Sequence, residues 1–193
     1  MILLDPDLDP DPAPRSKSVK RATVSSKPAK SPDFNLPTAR TLGRFLTRAQ
    51  AAVRLRGQVT ILLTTEAAIR SLNRRFRGKN KATDVLSFPA DATVQGSEKI
   101  AGDLAISVST ALRQAAGQGH SLSTEIKVLI LHGLLHLAGY DHEADSGQME
   151  LRERLLRGRL GLPHGLIERA ATPKRQAPSK RRPPKPAAKA RRP

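Results

Sequence analysis

The sequence predicts an α+β domain, in which a small mixed four-stranded sheet packs with about five helices and the central helix carries a set of histidines. Three observations predict it. Apolar residues recur at helical spacing in five segments. Four short runs rich in β-branched and apolar residues stand among them in mixed order, the pattern of a sheet covered by helices. Aromatic residues make up only 3% of the chain, so the core is built from Leu, Ile, Val and Ala.

The elements follow in order. Met1–Leu4 is a short apolar run with the character of an edge strand. The Asp-Pro steps after it end it, because proline lacks an amide hydrogen and restricts its predecessor. Pro37–Arg54 has helical spacing through Leu42, Phe45, Leu46, Ala52 and Val53, with Thr38 as its cap and Gly57 as its break. Val59–Thr65 is a buried strand. Thr65 and Glu66 open a second helix through Ile69 and Leu72 to about Arg75. Phe76–Thr83 is polar and basic and is expected as a loop. Val85–Pro89 is a strand ended by its proline, Asp91–Lys99 a loop, and Ile100–Val108 a further strand. A helix over Ser109–Ala116 stops at Gly117 and Gly119. Ser123–Ala138 is the main helix, with one apolar stripe through Ile126, Leu129, Ile130, Leu134 and Leu137. Ser146–Leu156 is the last helix, amphipathic through Met149, Leu151 and Leu155.

Charge divides the chain differently. The formal net charge is +17, but six Lys or Arg lie between Arg15 and Lys30 and nine between Ala171 and Pro193, in both cases without an acid. The predicted organisation is a short edge strand plus a basic flexible insertion over 1–35, a folded domain over 36–170, and a disordered basic, Pro-rich tail over 171–193. Such arms meet polyanions, most often nucleic acid. The chain has no cysteine, which excludes disulfides, zinc–thiolate sites and thiol nucleophiles and accords with a reducing compartment. The apolar start is too short for a signal peptide and no run approaches a membrane span, so the expected location is cytoplasmic with no membrane partner.

The densest chemistry lies in His132-Gly-Leu-Leu-His136-Leu-Ala-Gly-Tyr-Asp-His142, which holds three of the five histidines. The first two are four apart, one turn apart on the same helix face. Gly139 stops the helix and allows a turn that brings His142 back toward the pair. Three converging imidazoles with no fourth protein ligand form an open metal site. An all-imidazole set favours one zinc ion, with nickel, copper and iron(II) as alternatives. Zinc proteases with an H-E-x-x-H helix carry a glutamate base where this chain has Gly133, which moves the substrate away from peptides. Glycine there is expected to leave space beside the metal for a phosphodiester. Asp141 is expected to fix the turn, with Glu143 and Asp145 solvated; a carboxylate ligand or a second metal is the alternative. Upstream, Arg74, Arg75, Arg77, Lys79 and Lys81 fall within eight residues, and phosphate is the natural target of such a group.

These motifs carry a resemblance. His132–His142 resembles the H-G-x-L-H-L-x-G-Y-D-H signature of the YbeY family of rRNA maturation factors. Phe76–Pro89 resembles that family's second signature, and Gly102-Asp-Leu-Ala-Ile106 its third. The likeness runs from about Leu36 to Leu162, with Met1–Pro6 supplying a first strand. The resemblance implies a single-strand-specific, metal-dependent endoribonuclease acting in 3′-end maturation of small-subunit (16S) rRNA and in ribosome quality control. It places zinc on His132, His136 and His142 and a functional arginine on Arg77, in a positively charged cleft of an α+β fold. The expected partners are single-stranded RNA, ribosomal RNA, and the small ribosomal subunit or its assembly factors. Arg74, Arg75, Lys79 and Lys81 are RNA-binding candidates. Asp103 and Asp84 are candidates to orient a histidine or a loop. The competing reading is a non-catalytic ribosome-assembly factor with a structural zinc, which a fourth ligand from Asp141 or Glu143 would favour.

Overall fold

The computed structural model describes residues 1–8, 36–90 and 99–163. The insertion expected over 15–30, most of the 91–99 loop and the tail expected over 171–193 lie outside the described residues. Within them the elements are β1 (Ile2–Leu4), α1 (Ala39–Val53), β2 (Gln58–Thr64), α2 (Glu66–Arg77), β3 (Val85–Pro89), β4 (Ile100–Ser107), α3 (Val108–Gln118), α4 (Leu122–Leu137) and α5 (Gln148–Leu160). The fold is α+β, with the sheet and helices that the sequence predicts.

The sheet order is β1-β2-β4-β3. β1 and β4 run parallel to β2, and β3 runs antiparallel to β4, so the sheet is mixed. Alternation along the strands sorts the side chains by face. Val59, Ile61 and Leu63 of β2 and Leu104 and Ile106 of β4 enter the main core with Leu42, Phe45, Leu46, Ala49 and Val53 of α1. Ala105 and Leu86 face the other way and meet Ile69 of α2 in a second, smaller cluster.

The central helix is α4, which contacts α1, α3, α5, β3 and β4. Its sequence suggests one apolar stripe, but burial extends around most of its circumference: Val128, Leu131 and Leu135 are buried with Ile126, Leu129, Ile130 and Leu134. A helix that is apolar on nearly every side is one that is enclosed. Its cap is Ser121, accepting the Thr124 N–H at 3.2 Å. Thr38 and Thr65 cap α1 and α2 as expected.

Three expectations need correction. Phe76 and Arg77 belong to α2, not to a loop. The helix continues until Gly78, whose left-handed conformation (φ 66°) lets its N–H reach the Arg74 carbonyl. Buried Asn73 then donates its side-chain amide to the Lys81 carbonyl at 2.6 Å and holds the following loop against the helix.

The buried stripe of α5 is also different. Leu151 and Leu155 are exposed, while Met149, Glu153, Leu156 and Arg157 are buried. Their spacing of four, seven and eight is helical, but two members are charged, and an ion pair completes the stripe.

Gly133 does not open space beside the histidines. A Cβ added there would lie 2.6 Å from Leu104 Cδ2 and 3.3 Å from Ser87 Oγ, so this glycine lets α4 approach the sheet. Gly133→Ala is therefore expected to lower the unfolding free energy by about 1 kcal/mol, overpacking outweighing the helix propensity of alanine. The same change at Gly43 of α1, where an added Cβ meets nothing within 4 Å, should raise it by about 0.5–1 kcal/mol. Urea unfolding of the two variants measures the opposite signs.

Candidate metal centre

The site is built on the end of α4 and the turn that follows. His132 and His136 share one face of the helix, one turn apart. Ala138 caps the helix and Gly139, at φ 91°, reverses the chain, with the Tyr140 N–H bonding back to the Leu135 carbonyl at 3.0 Å. The turn is then fixed by acids. Asp141 Oδ1 accepts the Glu143 N–H. Asp145 accepts the N–H groups of Gly147, Gln148 and Met149 and so satisfies the first turn of α5, whose own cap residue, Gly147, has no side chain to do it. Asp145 is thus a structural acid rather than a solvated one.

This path returns His142 to the pair. The three imidazole centroids form a near-equilateral triangle with sides of 4.8, 5.3 and 5.2 Å. One nitrogen from each ring lies within 4.8 Å of the others. The Nε2 atoms of His132 and His136 are 3.1 Å apart. Two nitrogens of a tetrahedral zinc at ordinary bond lengths stand about 3.3 Å apart, so this pair is spaced to share an ion. Burial, with the nearby positive charge of His132 and His142, pushes His136 down to about 4. Near neutral pH it is an uncharged imidazole with a lone pair to donate. By donor chemistry and spacing, the residues fit a zinc ion, and His132, His136 and His142 would hold it. Among the described residues no carboxylate joins the three-histidine group.

One residue escaped the sequence reading. Glu153 Oε2 lies 3.0 Å from His132 Nδ1. A carboxylate accepts there, so Nδ1 carries the proton and Nε2 keeps the lone pair that faces His136. The other Glu153 oxygen takes Nε and Nη2 of Arg157. Arg157 also donates to the Pro163 carbonyl at 2.9 Å. Burial raises the Glu153 carboxyl, but His132 and the Arg157 guanidinium outweigh it and hold the group below its usual range. The signal was present in the sequence as an i, i+4 Glu–Arg pair in register with Met149 and Leu156.

The acids singled out earlier sit elsewhere. Asp84 accepts from the Val85 N–H, the Thr83 hydroxyl and the Gln114 amide, and ties the start of β3 to α3. Asp103 is exposed on β4 and lines, with Leu3, Leu62 and Leu72, a second cavity that Phe76 and Phe88 also border. Glu153 is the acid hydrogen-bonded to a histidine of the site. His120 is also outside it, paired with buried Glu125 at 2.5 Å before α4.

His136 and His142 open into a cleft of ≈ 700 Å³. Arg77 lines the same cleft, with Phe76, Phe88 and Tyr140. Arg74, Arg75, Lys79 and Lys81 are exposed at the end of α2 and in the loop beyond it, and none of the four lines the cleft. Helix and loop thus bring an arginine and an imidazole cluster, more than fifty residues apart in sequence, to one concavity.

Comparison with known proteins decides the family. The protein-family model described as Endoribonuclease YbeY matches residues 27–159. The chain belongs to the YbeY endoribonuclease family. A YbeY endoribonuclease from Koribacter versatilis is 53% identical over 142 residues, covering 74% of this chain and 90% of the relative. One from Solibacter usitatus is 49% identical, covering 65% and 82%. One from Nautilia profundicola is 48% identical, covering 58% and 78%. Among the described residues, no helix is long and apolar enough to cross a membrane.

Proposed function

We propose that this YbeY-family chain is a zinc-dependent endoribonuclease. It cleaves single-stranded RNA in 3′-end maturation of small-subunit rRNA and in ribosome quality control, and acts in the cytoplasm on the small ribosomal subunit or with its assembly factors. The observation that carries the reading is the placement of Arg77 in one cleft with an imidazole set spaced for an ion. When bound, zinc supplies Lewis acidity toward a phosphoryl oxygen or a water.

The chain's own residues do the rest. Glu153 holds His132 in the tautomer with Nε2 free. The apolar enclosure of α4 fixes the backbone from which His132 and His136 project. Arg77 presents a permanently charged fork that pairs with phosphate oxygens and stabilises the charge that accumulates on them during cleavage. Arg74, Arg75, Lys79 and Lys81 add affinity for the RNA backbone that weakens with salt. The product ends name the nucleophile: a 2′,3′-cyclic phosphate assigns it to the ribose 2′-hydroxyl, and a free 3′-hydroxyl with a 5′-phosphate assigns it to water.

The test is metal analysis of the purified protein beside cleavage of a single-stranded oligoribonucleotide. One equivalent of zinc is expected, with activity abolished by chelator, restored by zinc and absent in His136→Ala. Equal cleavage by wild type, chelated protein and His136→Ala would overturn the proposal. Zinc bound without any cleavage would favour the structural-zinc assembly factor.

A further inference from the structure

The chain spends its few aromatic residues in an unusual way. It has four Phe and one Tyr. Of these, Phe45 is in the main core, while Phe76, Phe88 and Tyr140 all line the cleft that holds His136, His142 and Arg77. A phenylalanine is ordinarily among the most buried residues of a domain, yet Phe76 is 57% exposed, on the last turn of α2 directly before Arg77. Its ring is nonetheless held. Phe88 of β3 meets it in a T-shaped contact at 5.1 Å, and the Arg75 guanidinium lies over it at 5.2 Å from the centroid.

We propose that Phe76, braced by Phe88 and Arg75, is a base-stacking platform that binds one nucleobase of the RNA next to the phosphate facing Arg77. The inference rests on the endoribonuclease reading and adds to it a residue that chooses the form of the substrate. An exposed ring beside basic side chains is how proteins grip single-stranded nucleic acid, because every base has a π-face whatever its identity. The ring and its neighbouring arginine then act on one nucleotide: Phe76 takes the base and Arg77 the phosphate. A base in a duplex is already stacked on both faces and paired, so it is not free to take this position. The platform therefore supplies discrimination against double strands without reading sequence. Two cations stand beside the ring: Arg77 lines the same cleft and the Arg75 guanidinium lies over the ring itself.

The test uses the zinc-loaded full chain. Phe76→Leu keeps an apolar side chain against Phe88 but removes the ring. It is expected to raise KM for a short oligouridylate by about tenfold with kcat unchanged, whereas Phe76→Tyr stays near wild type. Phe76→Trp introduces the only tryptophan of the chain. In a stopped-flow mix, read before cleavage, its fluorescence should be quenched by the oligouridylate. An abasic ribose-phosphate chain of equal charge and duplex RNA should not quench it. A wild-type KM in Phe76→Leu, or equal quenching by the abasic chain, overturns the platform; no quenching by any RNA does so too and gives the face to a protein partner. A wild type that neither binds nor cuts single-stranded RNA is a separate result, in which the endoribonuclease reading itself fails.

Discussion

Glu153→Ala is expected to destabilise the fold by about 3–5 kcal/mol and to weaken zinc binding by about 10–100-fold. The first effect comes from what is left behind. Arg157 is 1% exposed, and its Nε and Nη2 groups donate to the Glu153 carboxylate. Without that carboxylate a guanidinium is buried with, among the described residues, the Pro163 carbonyl as its remaining partner. The second effect comes from His132, which loses the acceptor for Nδ1–H and with it the restraint on tautomer and ring orientation. Total stabilities of domains are about 5–15 kcal/mol, so the alanine variant stands close to unfolding. Glu153→Gln keeps the shape and an acceptor but not the charge. It is the variant for zinc titration, with an affinity between wild type and alanine. Urea unfolding measures the first effect. A Glu153→Ala protein within about 1 kcal/mol of wild type would show that the Arg157 guanidinium is not left as an uncompensated buried charge.

Arg77→Glu should lower kcat on single-stranded RNA by at least about 100–1,000-fold, the range for losing one donor to a charged transition state, while the protein stays folded. Arg77 is exposed, so no core contact is lost. A small stability cost is still expected. Arg77 is in the last turn of α2 with Arg74 and Arg75, where cations complement the negative end of the helix. An anion there costs about 0.3–1 kcal/mol, well short of unfolding the domain. Arg77→Lys keeps the charge but loses the planar fork, and its rate should fall between the two. Initial rates beside a thermal melt separate chemistry from folding. A wild-type rate in Arg77→Glu would remove the arginine from the reaction.

The histidine triangle was legible because its geometry is local: four residues of helix and one glycine turn carry His142 back to His132 and His136. The all-imidazole donor set and the likeness to the family signature follow from the same eleven residues. The strand order was not legible, since each short apolar run is compatible with several neighbours until the helices are placed. Glu153 was missed for a different reason. A charged residue marks the solvent face in a periodicity argument, so Leu151 and Leu155 were assigned inward. Only the packed structure shows that Arg157 neutralises Glu153 and makes its burial tolerable. Gly133 was misassigned because a glycine's missing side chain can serve either a ligand or a neighbouring leucine, and the sequence does not say which side of the helix faces Leu104. Arg77 was placed on a loop because its neighbours are polar; Gly78 was the residue that marked the true helix end.

The three nitrogens are not held alike. Two project from α4, which is locked inside the core, and the third stands on the turn between α4 and α5 at an exposed residue. The consequence is kinetic. Were an ion bound, motion of the exposed turn would loosen the His142 contact without any opening of the domain, while His132 and His136 would keep their places on α4. The centre therefore works as a vice with two fixed jaws and one sliding jaw. What restrains the sliding jaw is the pair of acids that clamp the turn, Asp141 and Asp145.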